Sequence, residues 1–331
     1  MDDLEIRLLH ALKIDGRVSF SRLARVLGVS DQTVARRYRK LQSDASMRVI
    51  ARPDPQLLGM SEWFVRLKGA PATVAGAASL LAQRADTSWV SLSFGGAEVV
   101  CLVRSGSARS EQHALLHHLG GLPQVSSVVA HNALHTFLGE QMLWPGLTSD
   151  LTDAQVGLLR AGLPAPLDAE GLRLTAGDLA LIEALSEDGR APLQRLAVAM
   201  DAAESTVRRR LEYLRACGAL HFALDLDYHL LGFDALALFW LSVQPQRLVQ
   251  VAEAVARHPE VSFVAATTGP TNLLAAVICR DNSQLFDYLA GQVGAMQGVQ
   301  HVEIAPVTRM VKQAVTPTHP VCPASRQASG E

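Results

Sequence analysis

The feature that most restricts how this chain can fold is that it matches itself. Slid along by 173 positions, the distance from Asp15 to Asp188, Asp15-Gly16-Arg17 falls on Asp188-Gly189-Arg190. Leu23-Ala24 falls on Leu196-Ala197, Thr33-Val34 on Thr206-Val207 and Arg36-Arg37 on Arg209-Arg210. Between Leu4 and Leu41, 14 of 38 positions are identical at this one offset, where ordinary residue usage would give about 2 or 3. Further on, Leu57-Leu58-Gly59 meets Leu230-Leu231-Gly232, and Gly96 meets Gly269. A fixed internal offset marks a repeated structural unit, so the 331 residues read as two copies of one design.

Each copy changes texture halfway. Ile6, Leu8, Leu9 and Leu12 have helical spacing, and Asp15-Gly16 reads as the stop of that helix, with Gly supplying the permissive backbone. Ser19 caps a second helix over Phe20 to Leu27, Gly28-Val29-Ser30 is a tight turn, and Ser30 caps a third helix with Val34, Tyr38 and Leu41 on one face. That is a helix-turn-helix layout. The second half reads strand, helix, strand, strand, helix, strand. The strands are Trp63 to Leu67, Trp89 to Phe94, Val99 to Val103 and Val125 to Val129 continuing toward Phe137, with helices over Ala72 to Arg84 and Ala108 to Leu119. The second copy repeats this order from Ala235 to Val307. The pattern is ferredoxin-like, and the predicted class is α+β.

The boundaries follow. Helix-turn-helix domains span 1–52 and 175–224, and ferredoxin-like domains span 53–139 and 225–313. A linker over 140–174 carries Pro145, Pro164 and Pro166 and a short helix capped at Thr152-Asp153. The tail over 314–331, with Pro317, Pro320 and Pro323 and little to bury, is expected to be disordered.

Composition narrows the function. Apolar residues are 49% and charged residues 19%, which excludes a disordered or fibrous chain. The net charge of −2 excludes an overall polycation, so any nucleic-acid binding needs a local patch. Cys101, Cys217, Cys279 and Cys322 form no C-x-x-C pair, which suggests neither a disulfide framework nor a zinc site. Met1-Asp2-Asp3-Leu4-Glu5 does not resemble a signal peptide, and the longest apolar runs, Ala235 to Leu241 and Leu273 to Cys279, are about a third of a membrane span. A soluble cytoplasmic protein without membrane or cofactor is expected.

The patch is present. Residues 1–52 hold 11 Lys/Arg and 6 Asp/Glu. With Val34, Tyr38 and Leu41 inward, the third helix turns Gln32, Ala35, Arg36 and Arg39 outward, flanked by Thr33, Arg37 and Lys40. Gln pairs with adenine and Arg with guanine in the major groove, while Arg37 and Lys40 suit phosphates. Arg22 and Arg25 on the second helix add backbone contacts. A solvated basic face on an interaction domain is the alternative. In the second copy, residues 176–218 hold 6 Arg and 7 Asp/Glu. Ser205, Arg208, Arg209 and Arg210 remain as a DNA face, but Asp201 stands for Gly28, Ala203 for Ser30 and Glu212 for Arg39. The first head is therefore expected to dominate affinity.

Leu8-Leu9-x-x-Leu12-x-x-Asp15-Gly16-Arg17, Leu23-Ala24, Gly28-Val29-Ser30, Thr33-Val34, Arg36-Arg37-x-x-x-Leu41 and Asp54-x-x-x-Leu58-Gly59 together resemble the Lrp/AsnC transcriptional regulators. The resemblance implies a winged-type helix-turn-helix before a ferredoxin-like effector domain. It also implies homo-oligomers assembled through the effector domains and an amino acid or related metabolite as effector, while two unlike heads in one chain predict an imperfectly palindromic double-stranded DNA site. The family's effector turn falls on Phe94-Gly95-Gly96-Ala97-Glu98-Val99 and Thr267-Thr268-Gly269-Pro270-Thr271-Asn272. Gly95, Gly96, Glu98, Thr268, Gly269 and Asn272 are the candidates. Val99 and Asn272 stand where the family has an acid, and a purely structural turn needing Gly is the other reading. Siroheme decarboxylases share this fold, also as fused two-copy chains, and use His and Tyr/Arg clusters beside an aromatic-rich strand. Here that strand reads Val99-Val100-Cys101-Leu102-Val103 and Asn272-Leu273-Leu274-Ala275-Ala276, and His117, His118 and His131 have no matching histidines in the second copy. No enzyme is expected. A protein-interaction regulator without DNA binding is the third class.

Overall fold

The computed structural model describes residues 1–44, 47–55, 57–105, 109–139, 149–169, 172–313 and 316–317. Ala108, Pro145, Cys322 and nearly all of the tail expected over 314–331 lie outside them. The first copy runs α1 (Asp3–Ile14), α2 (Phe20–Leu27), α3 (Asp31–Asp44), β1 (Arg48–Pro53), β2 (Ser61–Gly69), α4 (Pro71–Gln83), β3 (Thr87–Ser93), β4 (Glu98–Ser105), α5 (Arg109–Gly120) and β5 (Val125–Leu138). The linker contributes α6 (Asp153–Arg160). The second copy runs α7 (Ala176–Glu187), α8 (Leu193–Met200), α9 (Glu204–Ala216), β6 (Leu220–Asp225), β7 (Ala235–Val243), α10 (Leu248–Val255), β8 (Val261–Thr267), β9 (Leu273–Cys279), α11 (Asn282–Asp287) and β10 (Val299–Gln313). Both copies carry the expected order, and the fold is α+β.

The compact units are not the sequence copies. One unit comprises Met1–Ser61 with Asn132–Pro306, the other Glu62–His131 with Val307–Glu331. The reason is the length of β5 and β10: β5 runs to Leu138, as its sequence leads one to expect, while β10 runs to Gln313, well past the Val307 read from sequence. In the first unit the sheet order is β5, β8, β9, β7, β10, with Ala133–Leu138 of β5 paired antiparallel to β8. In the second unit the order is β10, β3, β4, β2, β5, with Val307–Lys312 of β10 paired antiparallel to β3. Thus β8 and β3, each an edge in an isolated ferredoxin-like sheet, are each covered by the last strand of the other copy. Covering an edge removes a row of unsatisfied backbone groups that would otherwise recruit foreign strands. Each sheet packs a helix on one face. Val74, Ala77, Ala78 and Leu81 of α4 do so in the second unit, and Val251, Ala252 and Val255 of α10 in the first.

Within the first unit both helix-turn-helix modules build their own cores. Leu8, Leu9, Leu12, Leu23, Val34 and Leu41 close the first, and Leu181, Leu185, Leu196, Val207, Leu211 and Leu214 the second. The strand after each module, in the position of a wing, pairs with its duplicate: β1 and β6 form a two-stranded antiparallel sheet. In its register Ile50 lies opposite Ala223, its own equivalent at the 173-residue offset. A local two-fold axis therefore passes through that pair.

Asp15-Gly16 does end α1, but not as expected. Asp15 is the C-cap in extended backbone, and Gly16 is needed for room rather than for a left-handed turn. A Cβ there would stand 2.8 Å from Phe222 Cβ and from Val49 Cγ1. At Gly189 it would stand 2.8 Å from the Val49 carbonyl oxygen. The Asp-Gly-Arg motifs are where the two modules meet. Arg17 donates to the carbonyls of Gly189 at 2.7 Å and Ala191 at 3.0 Å, and Arg190 donates to those of Gly16 at 2.6 Å and Val18 at 2.8 Å. This reciprocity is what a two-fold interface requires.

Candidate nucleic-acid interface

The first head is built by local chemistry the sequence supplies. The Ser19 side chain accepts from the Arg22 N–H, capping α2. Gly28 closes α2 in the left-handed region at φ 72°, which costs a glycine little. Ser30 Oγ accepts from the Thr33 N–H at 3.2 Å and starts α3. Val34, Tyr38 and Leu41 are buried beneath α3, and Gln32, Arg36, Arg39 and Lys40 are exposed on it, with Thr33 and Arg37 half-buried. On α2, Arg25 is exposed and Arg22 half-buried.

Not all of these cations are equivalent. Arg37 Nη1 lies 2.9 Å from Glu5 Oε1 and 2.6 Å from Asp2 Oδ2, and Lys40 Nζ lies 2.8 Å from the same Glu5 oxygen. Glu5 is only 2% exposed and closes the α1 capping box with Asp2. Burial alone would push its carboxyl up. Lys40, the Asp2 N–H and Arg37 outweigh burial and hold it below the ordinary glutamate range. Arg37 and Lys40, expected at phosphates, thus tie α3 to the start of α1. Arg36 and Arg25 are the outward cations, while Arg39 Nε bends back to the Ala35 carbonyl at 3.2 Å.

The second head repeats the tie with different atoms. Asp178 is fully buried, and Arg210 Nε reaches its Oδ1 at 2.5 Å and Nη2 its Oδ2 at 2.8 Å. Asp178 and Arg210 are the equivalents of Glu5 and Arg37 at the 173-residue offset. Arg210 also stacks 4.9 Å over Tyr213, which replaces Lys40. Arg210 is therefore committed as Arg37 is, while Ser205, Arg208, Arg209 and Glu212 are exposed. Ala203 at the start of α9 makes no side-chain cap bond. Asp201 does not substitute, because it sits in the left-handed region at φ 49° and closes α8. Arg195, the equivalent of Arg22, pairs with Glu187 at 3.3 Å, and Val198 replaces Arg25 and is 80% exposed.

Two features of this site escaped the sequence reading. The buried carboxylates Glu5 and Asp178 were signalled by Asp2-x-x-Glu5 and Thr175-x-x-Asp178, two capping boxes at the same offset. The other is the bracing of α3 from the opposite head. The Arg190 guanidinium lies 4.9 Å over Phe20 and 5.2 Å over Tyr38. Burial, the main influence, moves the Arg190 and Arg17 pKa values down. In the linker, α6 docks on the first head. Leu159 is fully buried in its core, Gln155 donates to the Val26 carbonyl, and Gly162 backs onto the Arg22 guanidinium.

The candidate effector turns differ from one another. In the second unit Phe94, Gly95 and Gly96 all have positive φ. Glu98 does not line an open turn: it is buried, with Oε1 2.5 Å from Arg66 Nε and Oε2 3.2 Å from Nη2. In the first unit Thr268 and Gly269 stand in one turn with Asn272, and that turn uses its polar groups internally. Thr268 Oγ1 accepts from the Asn132 N–H at 2.9 Å, and the Asn272 side chain bridges both the N–H and carbonyl of Val243 at 2.8 Å. Gly269 has φ 112°. His117 and His118 are exposed on α5, and His131 is buried.

Two helix-turn-helix heads locked about a local two-fold, in a chain with two ferredoxin-like sheets, define a duplicated protein of the AsnC-type helix-turn-helix class. Residues 1–42 and 174–215 match the AsnC-type helix-turn-helix domain, and residues 236–317 match the Lrp/AsnC ligand binding domain. The chain belongs to the Lrp/AsnC family. It is 30% identical over 124 residues to the HTH-type transcriptional regulator FL11 of Pyrococcus horikoshii, covering 37% of this chain and 82% of the relative. To FL11 of Pyrococcus furiosus it is 28% identical over 137 residues, covering 41% and 90%. Among solved structures, the siroheme decarboxylase NirDL is similar in fold, with a TM-score of 0.61 at 14% identity over 94% of this chain and 92% of that one. Among the described residues no helix is long and apolar enough to cross a membrane.

Proposed function

We propose that this chain is a sequence-specific, double-stranded-DNA-binding transcriptional regulator acting in the cytoplasm, with both heads of one polypeptide contacting one imperfectly palindromic site. The observation that carries the reading is the split among the cations of α3. Arg37 and Lys40 are paired with Asp2 and Glu5, while Arg36 and Gln32 are exposed on the same helix and Arg25 is exposed on α2. A helix needed only for packing has no use for the second set, whereas base edges and phosphates do. The regulators FL11 carry the same class of name. The fold shared with a decarboxylase at 14% identity brings no reaction with it, and we read the chain as a non-enzyme.

A small metabolite is proposed to act at the glycine turns. A Cβ added at Gly95 would meet no heavy atom within 4 Å, so the backbone there is open to a ligand. Assembly of further copies through the ferredoxin-like domains completes the proposal.

The test is fluorescence anisotropy on the DNA upstream of the gene, across a salt series. Each phosphate contact contributes about 0.9 to the slope of log K against log salt. Arg25→Ala with Arg36→Ala should therefore weaken binding, through the base edge that Arg36 reads, and flatten the slope by up to ~0.9 through the phosphate contact of Arg25. Absence of binding by the wild type at low salt, or an unchanged slope in the double variant, sinks the reading.

A further inference from the structure

We infer that the chain binds its DNA site in one orientation only, because its two heads are locked as a pair yet present different base-reading faces. This rests on the DNA-binding reading above. The locking comes from β1 and β6, paired about Ile50 and Ala223, and from the crossed arginines Arg17 and Arg190. A symmetric dimer of identical heads on such an axis would read a palindrome, and its two orientations would be indistinguishable.

Here they are distinct. At four equivalent positions the first head carries Gln32, Ala35, Arg36 and Arg39, and the second carries Ser205, Arg208, Arg209 and Glu212. All are exposed except the half-buried Ala35. Only Arg36 and Arg209 keep their chemistry. A guanidinium selects guanine, so the two half-sites share one G·C pair where these two residues point. Elsewhere the preferences part. Gln32 suits adenine and Ser205 imposes little. Arg208 adds a donor where Ala35 has none, and Glu212 accepts from cytosine N4 where Arg39 would donate.

The phosphate contribution is unequal in the same sense. The second head replaces Arg25 by Val198 and engages Arg195 with Glu187. Arg208 and Glu212 are therefore the residues that give the second half-site its own sequence. The partner is an asymmetric duplex of two unlike half-sites at fixed separation, with a defined left and right.

The experiment selects bound sequences from a random duplex library with the full chain. The wild type should return one directional motif, its halves sharing a guanine and differing beside it. Arg36→Ala should relax one half and Arg209→Ala the other, each with a loss of about 5- to 150-fold on the parent motif. Ser205→Gln, Arg208→Ala and Glu212→Arg combined transplant the first face onto the second head and should turn the selected motif into a palindrome. A palindrome from the wild type, a second half-site unmoved by the transplant, or relaxation of both halves by either arginine variant overturns the inference while leaving DNA binding intact. If no sequence is enriched at all, the DNA-binding reading falls, and the orientation with it.

Discussion

Gly189→Ala tests whether the heads are held as closely as the junction geometry requires. The added methyl would stand 2.8 Å from the Val49 carbonyl oxygen and 3.0 Å from Ile50 N and from Ile50 C. These are backbone atoms of β1, which cannot rotate aside as a side-chain tip can. Overpacking of this kind costs about 1–3 kcal/mol. The Gly189 N–H donates to the same Val49 carbonyl at 2.8 Å, and straining that bond adds about 1 kcal/mol. The smaller unfolded-state entropy of alanine returns about 0.4–1 kcal/mol. The net expectation is about 1–3 kcal/mol, localised to β1 and β6. The assay is hydrogen exchange of the full chain, read on peptides covering 48–53 and 220–225. Their protection should fall by roughly 5- to 150-fold, while the cores under α3 and α9 stay protected. Gly28→Ala is the matched control, because its cost comes from φ 72° in open space and the junction should not feel it. Protection at β1 and β6 within twofold of the wild type in Gly189→Ala would refute the close approach. The fixed pairing of the heads would lose its main support.

Other outcomes follow from single contacts. Glu5→Gln should destabilise the first head at neutral pH, since Arg37 and Lys40 lose their shared carboxylate. Because the folded Glu5 carboxyl titrates below its ordinary range, its contribution is present above that range and is lost as pH falls through the folded value. The gap in Tm between wild type and variant should therefore shrink on acidification, and a gap constant with pH would count against the tie. Leu159→Ala removes a fully buried side chain, at a cost of about 2–5 kcal/mol. It should undock α6 and speed tryptic cleavage after Arg160; an unchanged cleavage rate would place α6 elsewhere.

How much of this was legible depends on whether the cause was local. Ser19, Gly28 and Ser30 act within four residues of themselves, so the turn between α2 and α3 could be written down from the sequence. The inward set Val34, Tyr38 and Leu41 follows from helical periodicity for the same reason. The ferredoxin-like order followed from alternation of texture, and its strands in the second copy from runs of apolar residues. The length of β10 did not, because Val307–Lys312 owes its strand conformation to β3, over two hundred residues away. Arg37 and Lys40 read as free cations because Glu5 lies a full helix earlier. Nothing in a linear window brings it back beneath α3, although the second copy of the pair at Asp178 and Arg210 carried the hint. The ion pair of Glu98 was hidden for a similar reason: its partner Arg66 sits on a different strand.

The repeat also shows which residues had to stay matched. At a two-fold junction each residue meets the partner of its own twin. Arg17 bonds the carbonyl of Gly189 while Arg190 bonds that of Gly16, so a change in either motif disturbs both halves of the contact. Asp-Gly-Arg is accordingly identical in the two copies. The outward positions of α3 and α9 carry no such constraint, because they are exposed rather than packed into that junction. Ala35 and Arg208, or Arg39 and Glu212, can diverge without altering the crossed arginine bonds that join the two heads. Fusing two copies in one chain therefore fixes the frame and frees the faces. A symmetric dimer cannot do this, since any change to one recognition helix is a change to both.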